Sequence, residues 1–381
     1  MLRIGVDAMN IRRGGSVTHL VELLKAANPI AHGISEVIVW TIPQTAPLLP
    51  KRSWLNVVVD EVSHKSLLNW IAWQRTFLSM KSSHHCDLLF IPGGLYLGSF
   101  RPYVTMSRNL LPFDINERRR FGWTPTRMRY HALERGQAAT FRHAAGVIFL
   151  TRNAHQVTEK RIGSLSARTT IIPHGVSDTF RREPRKARKR SEITPLKPFR
   201  WLYVSIVNWY KHQWNVAEAV VRLKAEGYPV QLDLVGPAYK PALKHLMKIL
   251  KKIDPEGSVI QYYGHVPYEN LGEFYQGADA FVFASTCETF GQILIEAMSS
   301  GLPIACSNRS AMPELLGEAG LYFDPENIED IVGALRKYMD DSDLREKLSV
   351  ASYEQAKIYD WEKCAEQTFS FIAEIAKCSK F

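Results

Sequence analysis

Two glutamates eight residues apart, Glu288 and Glu296, bracket the stretch Glu288-Thr289-Phe290-Gly291-Gln292, and this spacing is the strongest chemical pattern in the chain. The residues before it, Ala280-Phe281-Val282-Phe283-Ala284, form a continuous apolar run of the kind that fills a sheet covered on both faces. A helix starting near Gly291 would aim the N–H groups of Phe290, Gly291 and Gln292 out of its N-terminus. Partial positive charge there suits a phosphate. Glu288 then sits at the mouth of the turn and Glu296 about one turn inside the helix. One carboxylate can face the reacting end of a ligand and the other its far end. As bare residues the same pair also reads as an acidic helix cap and a solvated helical carboxylate.

The elements that would position this turn recur along the chain. With 381 residues there is room for two domains, each with its own core. Apolar runs predict strands near 2–9, 36–42, 56–60, 87–92, 102–106 and 145–150, with helical patterns between several of them. A second series follows near 201–207, 230–235, 259–263, 280–285, 302–306 and 320–323. Helices at 327–339, 343–357 and 361–376 close the chain. The expected fold class is therefore α/β, with two doubly wound domains. After the first strand, Gly14-Gly15 opens a helix where parallel sheets bind ligands. It lacks the spaced three-glycine fingerprint, and a plain tight turn fits it equally well. Ser107-Arg108-Asn109 leaves another strand end with polar groups that could line a cleft. The helix expected over 63–81 carries Trp70, Trp73 and Phe77, which read as core.

Charge is divided unevenly. Residues 1–190 hold 29 Lys+Arg against 12 Asp+Glu, while 191–381 hold 19 against 26. A basic first half fits an anionic membrane surface, a nucleic acid or a phosphorylated substrate. Arg118, Arg119 and Arg120 followed by Trp123 and Arg127 combine rings and cations as an interfacial helix does, and predict the membrane and acceptor side. Residues 181–198 contain seven positive charges between Arg181 and Arg190 with almost no apolar content, and read as an interdomain linker or lipid-surface tether. They lack aromatic partners, so no nucleic acid is expected. Five scattered cysteines argue against a disulfide framework or a zinc site, and no apolar run is long enough to span a bilayer. Together with an N-terminus that starts on a strand, this predicts a cytoplasmic protein.

The motifs taken in order resemble retaining GT-B glycosyltransferases, specifically glycosyltransferase family 4. The carriers are Ile172-Pro173-His174-Gly175-Val176, Val204 through Lys211, Tyr263-Gly264-His265-Val266, the run from Ala278 to Gly291, Gly301-Leu302-Pro303-Ile304, and Pro313-Glu314-Leu315 with Gly320-Leu321-Tyr322-Phe323-Asp324-Pro325. The resemblance covers nearly the whole chain and is densest from 201 to 361. It implies domains at 1–180 (acceptor and membrane side) and 199–360 (nucleotide sugar), facing across a cleft, with the helix from 361 to 381 crossing back to the first. It implies that Glu288 contacts the donor sugar, Glu296 the ribose, and the Phe290 and Gly291 amides with Thr289 the phosphates. Lys211 would place a charge on the diphosphate, Gly14-Gly15 would close on it, and His265 and Val266 would border the base. The expected donor is a nucleoside-diphosphate sugar, with no cofactor and no required metal. The acceptor would be a lipid-linked glycan of surface polysaccharide or O-antigen assembly, on the inner face of the cytoplasmic membrane and in company with other glycan-assembly enzymes. Mannose and rhamnose are the sugars such a resemblance suggests.

Two departures stand out. Ile206 occupies the place where the family carries an arginine, which leaves Arg152 or Asn208 to compensate at the diphosphate. Arg108-Asn109 stands where many members have a His-Asp pair, which puts Asn109 in the catalytic pocket with a neutral amide. A catalytically silent nucleotide-sugar scaffold and a nucleotide-sugar epimerase on the same two-domain plan are the alternatives.

Overall fold

The computed structural model describes residues 1–12, 14–60 and 66–379. The chain divides into two compact units, Met1–Gly175 with Tyr359–Phe381, and Val176–Ile358. Residues 63–65 of the expected first-domain helix lie outside the described residues.

The first unit holds a seven-stranded parallel sheet. Its strands are β1 (Leu2–Asp7), β2 (Ile34–Thr41), β3 (Leu55–Val59), β4 (Leu88–Ile91), β5 (Tyr103–Ser107), β6 (Gly146–Phe149) and β7 (Arg168–Ile171), in the order β3-β2-β1-β4-β5-β6-β7. Strands β4, β5 and β6 are buried at every position, as a sheet covered on both faces requires. The order reverses between β1 and β4, where Ile4 pairs with Leu88 and Val6 with Phe90. The covering helices include α1 (Gly15–Ala26), α2 (Leu67–Trp73), α3 (Ser79–His85), α4 (Ile115–Arg119), α5 (Pro125–His143) and α6 (Arg152–Ile162). Between α2 and α3 the helix widens into a π turn over Gln74–Leu78. That turn faces Gln74 inward, a typical use of π geometry at special sites.

In the second unit, six parallel strands run in the order β10-β9-β8-β11-β12-β13. They are β8 (Phe199–Val204), β9 (Val230–Val235), β10 (Ile260–Gly264), β11 (Ala280–Phe283), β12 (Ile304–Ser307) and β13 (Leu321–Phe323). Helices α7 (Gln213–Ala225), α8 (Lys240–Ile253), α9 (Leu271–Gly277), α10 (Gln292–Ser299), α11 (Met312–Leu316), α12 (Ile328–Asp340) and α13 (Ser342–Ala356) connect and cover them. Here the order reverses between β8 and β11, which pair Trp201 with Ala280 and Leu202 with Phe281.

The last helix, α14 (Trp361–Cys378), starts on an Asp360 cap and belongs to the first unit. Its Phe371 ring packs so closely on Gly146 of β6 that a Cβ there would lie 2.8 Å from the ring. Trp361 stacks against His174, which in turn stacks on His19 of α1.

The basic stretch 181–198 is not the open linker its composition suggests. Arg182 N donates to the Ser299 carbonyl at 2.9 Å. Arg185 donates to the carbonyls of Gln276 and Ala278 at the end of α9, and Arg188 forks onto Asp279. Arg190 pairs with Asp340. Ile193 is the one residue of the segment that joins the buried apolar core, and the guanidinium groups satisfy the carbonyls a helix end leaves over.

Candidate functional site

Lys211 and Glu288 come from the two strands that flank the reversal point of the second unit. β8 ends at Val204 and its continuation reaches Lys211 in a single 3₁₀ turn, Trp209–Lys211; β11 ends at Phe283 and leads to Glu288. Ligands of doubly wound sheets bind outside the carboxyl ends of the strands at such a point. The Lys211 ammonium donates to Glu288 Oε1 and is only 4 % exposed. It also lies 4.7 Å from the centre of the Phe283 ring and 5.1 Å from that of Tyr210. An ammonium has three N–H donors, so the pair leaves others for anionic oxygens.

The turn carrying Glu288 is held from two sides. Ser285 Oγ donates to Glu288 Oε1 at 2.6 Å. Ser310 Oγ accepts the Glu288 N–H at 2.8 Å and donates to its carbonyl at 3.0 Å. Ser310 sits at φ 59, a left-handed conformation that non-glycine residues rarely adopt and that clusters at functional sites. The sequence reading missed Ser285 and Ser310, although Ser310 shortly follows the end of β12, the place where a strand-end site residue belongs. Gly291 caps α10 at φ 92, where glycine is required, and the helix begins at Gln292 as expected. Phe290 is buried beside it and Thr289 is half-buried.

Glu296 lies inside α10 with 1 % exposure. Its two oxygens accept hydrogen bonds from Tyr268 (3.2 Å) and Tyr275 (3.1 Å), partners that the sequence reading did not supply. Burial pushes its carboxyl up to about 7, against the opposing pull of the Tyr275 and Tyr268 hydroxyls. The solvated-carboxylate alternative for Glu296 is thereby excluded. His265 is exposed and Val266 half-buried just after β10. Asn208 is buried, and its Oδ1 accepts the Trp209 N–H at 2.8 Å, so its amide oxygen already serves the turn that presents Lys211. Ile206 is 37 % exposed at the end of β8, with its carbonyl taken by Gln213.

In the first unit, the reversal point between β1 and β4 carries Asp7 and Asn10 on one side and Gly93 on the other. A Cβ on Gly93 would fall 2.3 Å from the Asn10 amide. Asp7 is buried, accepts from Gln74 Nε2 at 2.5 Å and from Met9 N at 3.1 Å, and is pushed up to about 6 by burial. Gly14 stands at φ 62 before α1, and Arg108 donates to the Gly15 carbonyl at 2.8 Å. Asn109 turns its Oδ1 back to the Leu111 N–H at 3.2 Å. Arg152 is exposed in the first turn of α6.

The basic-aromatic stretch splits in two. Trp123 is 95 % exposed with Arg127 stacked 4.7 Å from its ring centre, and Arg119 is exposed nearby. Arg118, however, is buried and pairs with Glu134, while Arg120 bonds Glu117 at 2.7 Å. These two cations are not available to a membrane, because internal carboxylates on α4 and α5 take them. Among the described residues, no three His, Cys, Asp or Glu side chains are grouped to hold a metal ion, and no helix is long and apolar enough to cross a membrane.

Two doubly wound sheets, with a lysine–glutamate pair at the reversal point of the second, define an α/β architecture with a charged pair where such sheets bind ligands. Residues 184–355 match the family described as glycosyl transferases group 1. The second unit is a group 1 glycosyltransferase domain, and the chain has the GT-B fold. Sucrose-phosphate synthase from Thermosynechococcus elongatus superposes with a TM-score of 0.77 at 17 % identity, over 99 % of this chain and 100 % of that one. Anabaena HepE, solved in complex with UDP and glucose, gives 0.71 at 16 % identity over 98 % and 100 %. In sequence, the O-antigen chain mannosyltransferase B of Escherichia coli is 40 % identical over 111 residues, 29 % of each chain. The chain spans less than a third of the length of the first curated relatives it matches.

Proposed function

We propose that the chain is a retaining hexosyltransferase that moves a mannosyl or rhamnosyl residue from a nucleoside-diphosphate sugar to a lipid-linked glycan in surface-polysaccharide assembly. The observation that carries this reading is the Lys211–Glu288 pair on the strands flanking the reversal point of the group 1 domain. The match to an O-antigen mannosyltransferase supports the sugar and the acceptor class.

Breaking the sugar–phosphate bond develops positive charge on the sugar and leaves a doubly charged diphosphate. Groups aimed at that leaving group lower the barrier most. Lys211 and the amides at the start of α10 are assigned to it. Glu288, beside Lys211, is assigned to the sugar hydroxyls, and Glu296 with its two tyrosines to the ribose. The acceptor hydroxyl attacks from the face the diphosphate leaves, and a phosphate oxygen takes its proton. Retention follows from that geometry. The exposed Trp123 and the half-buried Arg127 stacked on it are assigned to an anionic membrane surface on the inner face of the cytoplasmic membrane.

Transfer and donor hydrolysis measured with GDP-, UDP- and dTDP-sugars test the assignment. Glu288→Ala is expected to abolish transfer while leaving nucleoside-diphosphate affinity within a few-fold. Equal loss of both would remove Glu288 from the sugar end. Absence of nucleoside-diphosphate release with every donor would return the chain to a silent scaffold.

A further inference from the structure

The second unit has a cavity of about 640 Å³ at the opposite ends of its strands from Lys211 and Glu288. Its walls come from the segment 185–198, from Arg200 at the start of β8, from Asp279 just before β11, from the Gly301–Pro303 turn before β12, and from Arg345 on α13. β11 has four residues, so the cavity and the proposed donor site stand at two ends of one strand, roughly 13 Å apart at about 3.3 Å per residue.

Six lining side chains are cationic and one, Asp279, is a carboxylate. Arg188 is paired with Asp279, and Arg200 with Asp233 at 2.6 Å. Arg185, Lys186, Lys197 and Arg345 have no carboxylate within ion-pair distance among the described residues. Glu346 at the rim accepts only the Ala187 N–H, at 3.4 Å. Arg345 is the telling member. It is 2 % exposed, donates to the carbonyls of Tyr338 and Arg188, and lies 5.3 Å from the Phe199 ring centre. Those carbonyls satisfy N–H groups but do not neutralise its charge, which Asp279 and Asp341 offset only from beyond ion-pair distance, and burying such a charge is costly. Arg185, Lys186 and Lys197 are exposed around the buried Arg345, and cations gathered in a concave wall focus a positive potential onto whatever enters. The volume is in the range of small-molecule sites. No aromatic ring lines it, so nothing is present to stack a nucleobase.

We propose that this cavity is a second ligand site, which takes a small mono- or diphosphate-bearing group without a base, held by Arg185, Lys186, Lys197 and Arg345. The donor assignment is not needed for it. A bound phosphate would tie the segment 185–197 to α13 and brace the amino ends of β11 and β12.

The test uses the full-length protein. Pyrophosphate is titrated by calorimetry into the wild type, Lys186→Ala/Lys197→Ala and Lys211→Met. Both cavity lysines are exposed, so the double variant is expected to fold. A parallel arm measures co-sedimentation with phosphatidylglycerol–phosphatidylcholine vesicles, which separates a lipid headgroup from a soluble phosphate. The expected result is a loss of at least tenfold in the double variant in one arm, with that same binding retained within twofold in Lys211→Met. The arm that responds identifies the source of the phosphate. Unchanged affinity of the double variant in both arms, or loss with Lys211→Met alone, would overturn the proposal.

Discussion

Replacing Glu296 by glutamine should stabilise the second unit at neutral and alkaline pH, by an amount that follows from its burial. A carboxyl pushed from its ordinary 4.5 to about 7 stays protonated in the folded state over a range where the unfolded chain has already released its proton. The native state therefore binds the extra proton between those values. Stability is greatest below pH 4.5, falls as pH rises through the window, and levels off above pH 7. At about 1.36 kcal/mol per pH unit, the displacement is worth about 3 kcal/mol in full, most of it, about 2–3 kcal/mol, between pH 5 and pH 8. Glutamine has nearly the same shape and no charge, and both tyrosine hydroxyls can rotate to serve it. Differential scanning calorimetry of wild type and Glu296→Gln at pH 5, 6, 7 and 8, following the transition of the second unit, reads the difference directly. The gap should widen in favour of the variant by about 2–3 kcal/mol from the first pH to the last, which is a shift of roughly 4–12 °C for a unit of this size. Parallel stability curves over the whole range would show that Glu296 is ionised throughout, and would refute the burial argument.

Arg118→Ala should cost about 2–3 kcal/mol, because it strips a buried carboxylate of one partner while Arg161 retains Glu134. Trp123→Ala should leave thermal stability within about 0.5 kcal/mol and weaken binding to anionic vesicles several-fold. Thermal melts and vesicle sedimentation on both variants check this division of the basic-aromatic stretch. Gly291→Ala should lose about 1–2 kcal/mol through its left-handed backbone and weaken nucleoside-diphosphate binding. The new Cβ would crowd just the flexible tip of Met312, at 2.8 Å, with Leu315 at an ordinary contact of 3.5 Å, so adding Met312→Ala should not restore the loss.

The fold was legible because buried parallel strands leave unbroken apolar runs. Phe281 to Phe283 and Val230 to Val235 were readable as strands without any knowledge of their neighbours. The Glu288 turn was equally readable, since strand, polar turn and helix follow one another within a dozen residues. What could not be read were pairings between distant positions. Nothing local to Glu296 shows that Tyr268 and Tyr275, more than one element earlier, fold over it. Arg118, Arg119 and Arg120 form one charge run in sequence, but a helix points them in different directions, and Glu134 takes only the first. The run from Arg181 to Arg190 misled for a related reason. Low apolar content excludes a hydrophobic core but says nothing about carbonyls waiting at the end of α9.

The placement of α14 in the first unit has a consequence for how the chain is made. Gly146 and His19 acquire their partners Phe371 and Trp361 only after Val176–Ile358 has been synthesised. At ribosomal rates of 5–20 residues per second, that delay is roughly 10–40 s. By its end the intervening unit holds all of its own sequence and can close, while the earlier-born unit has waited throughout with the α14-facing side of its sheet bare. Nascent chains stalled in that interval should be the ones that chaperones hold. A truncation that removes the last helix should therefore damage the end of the protein that was translated first.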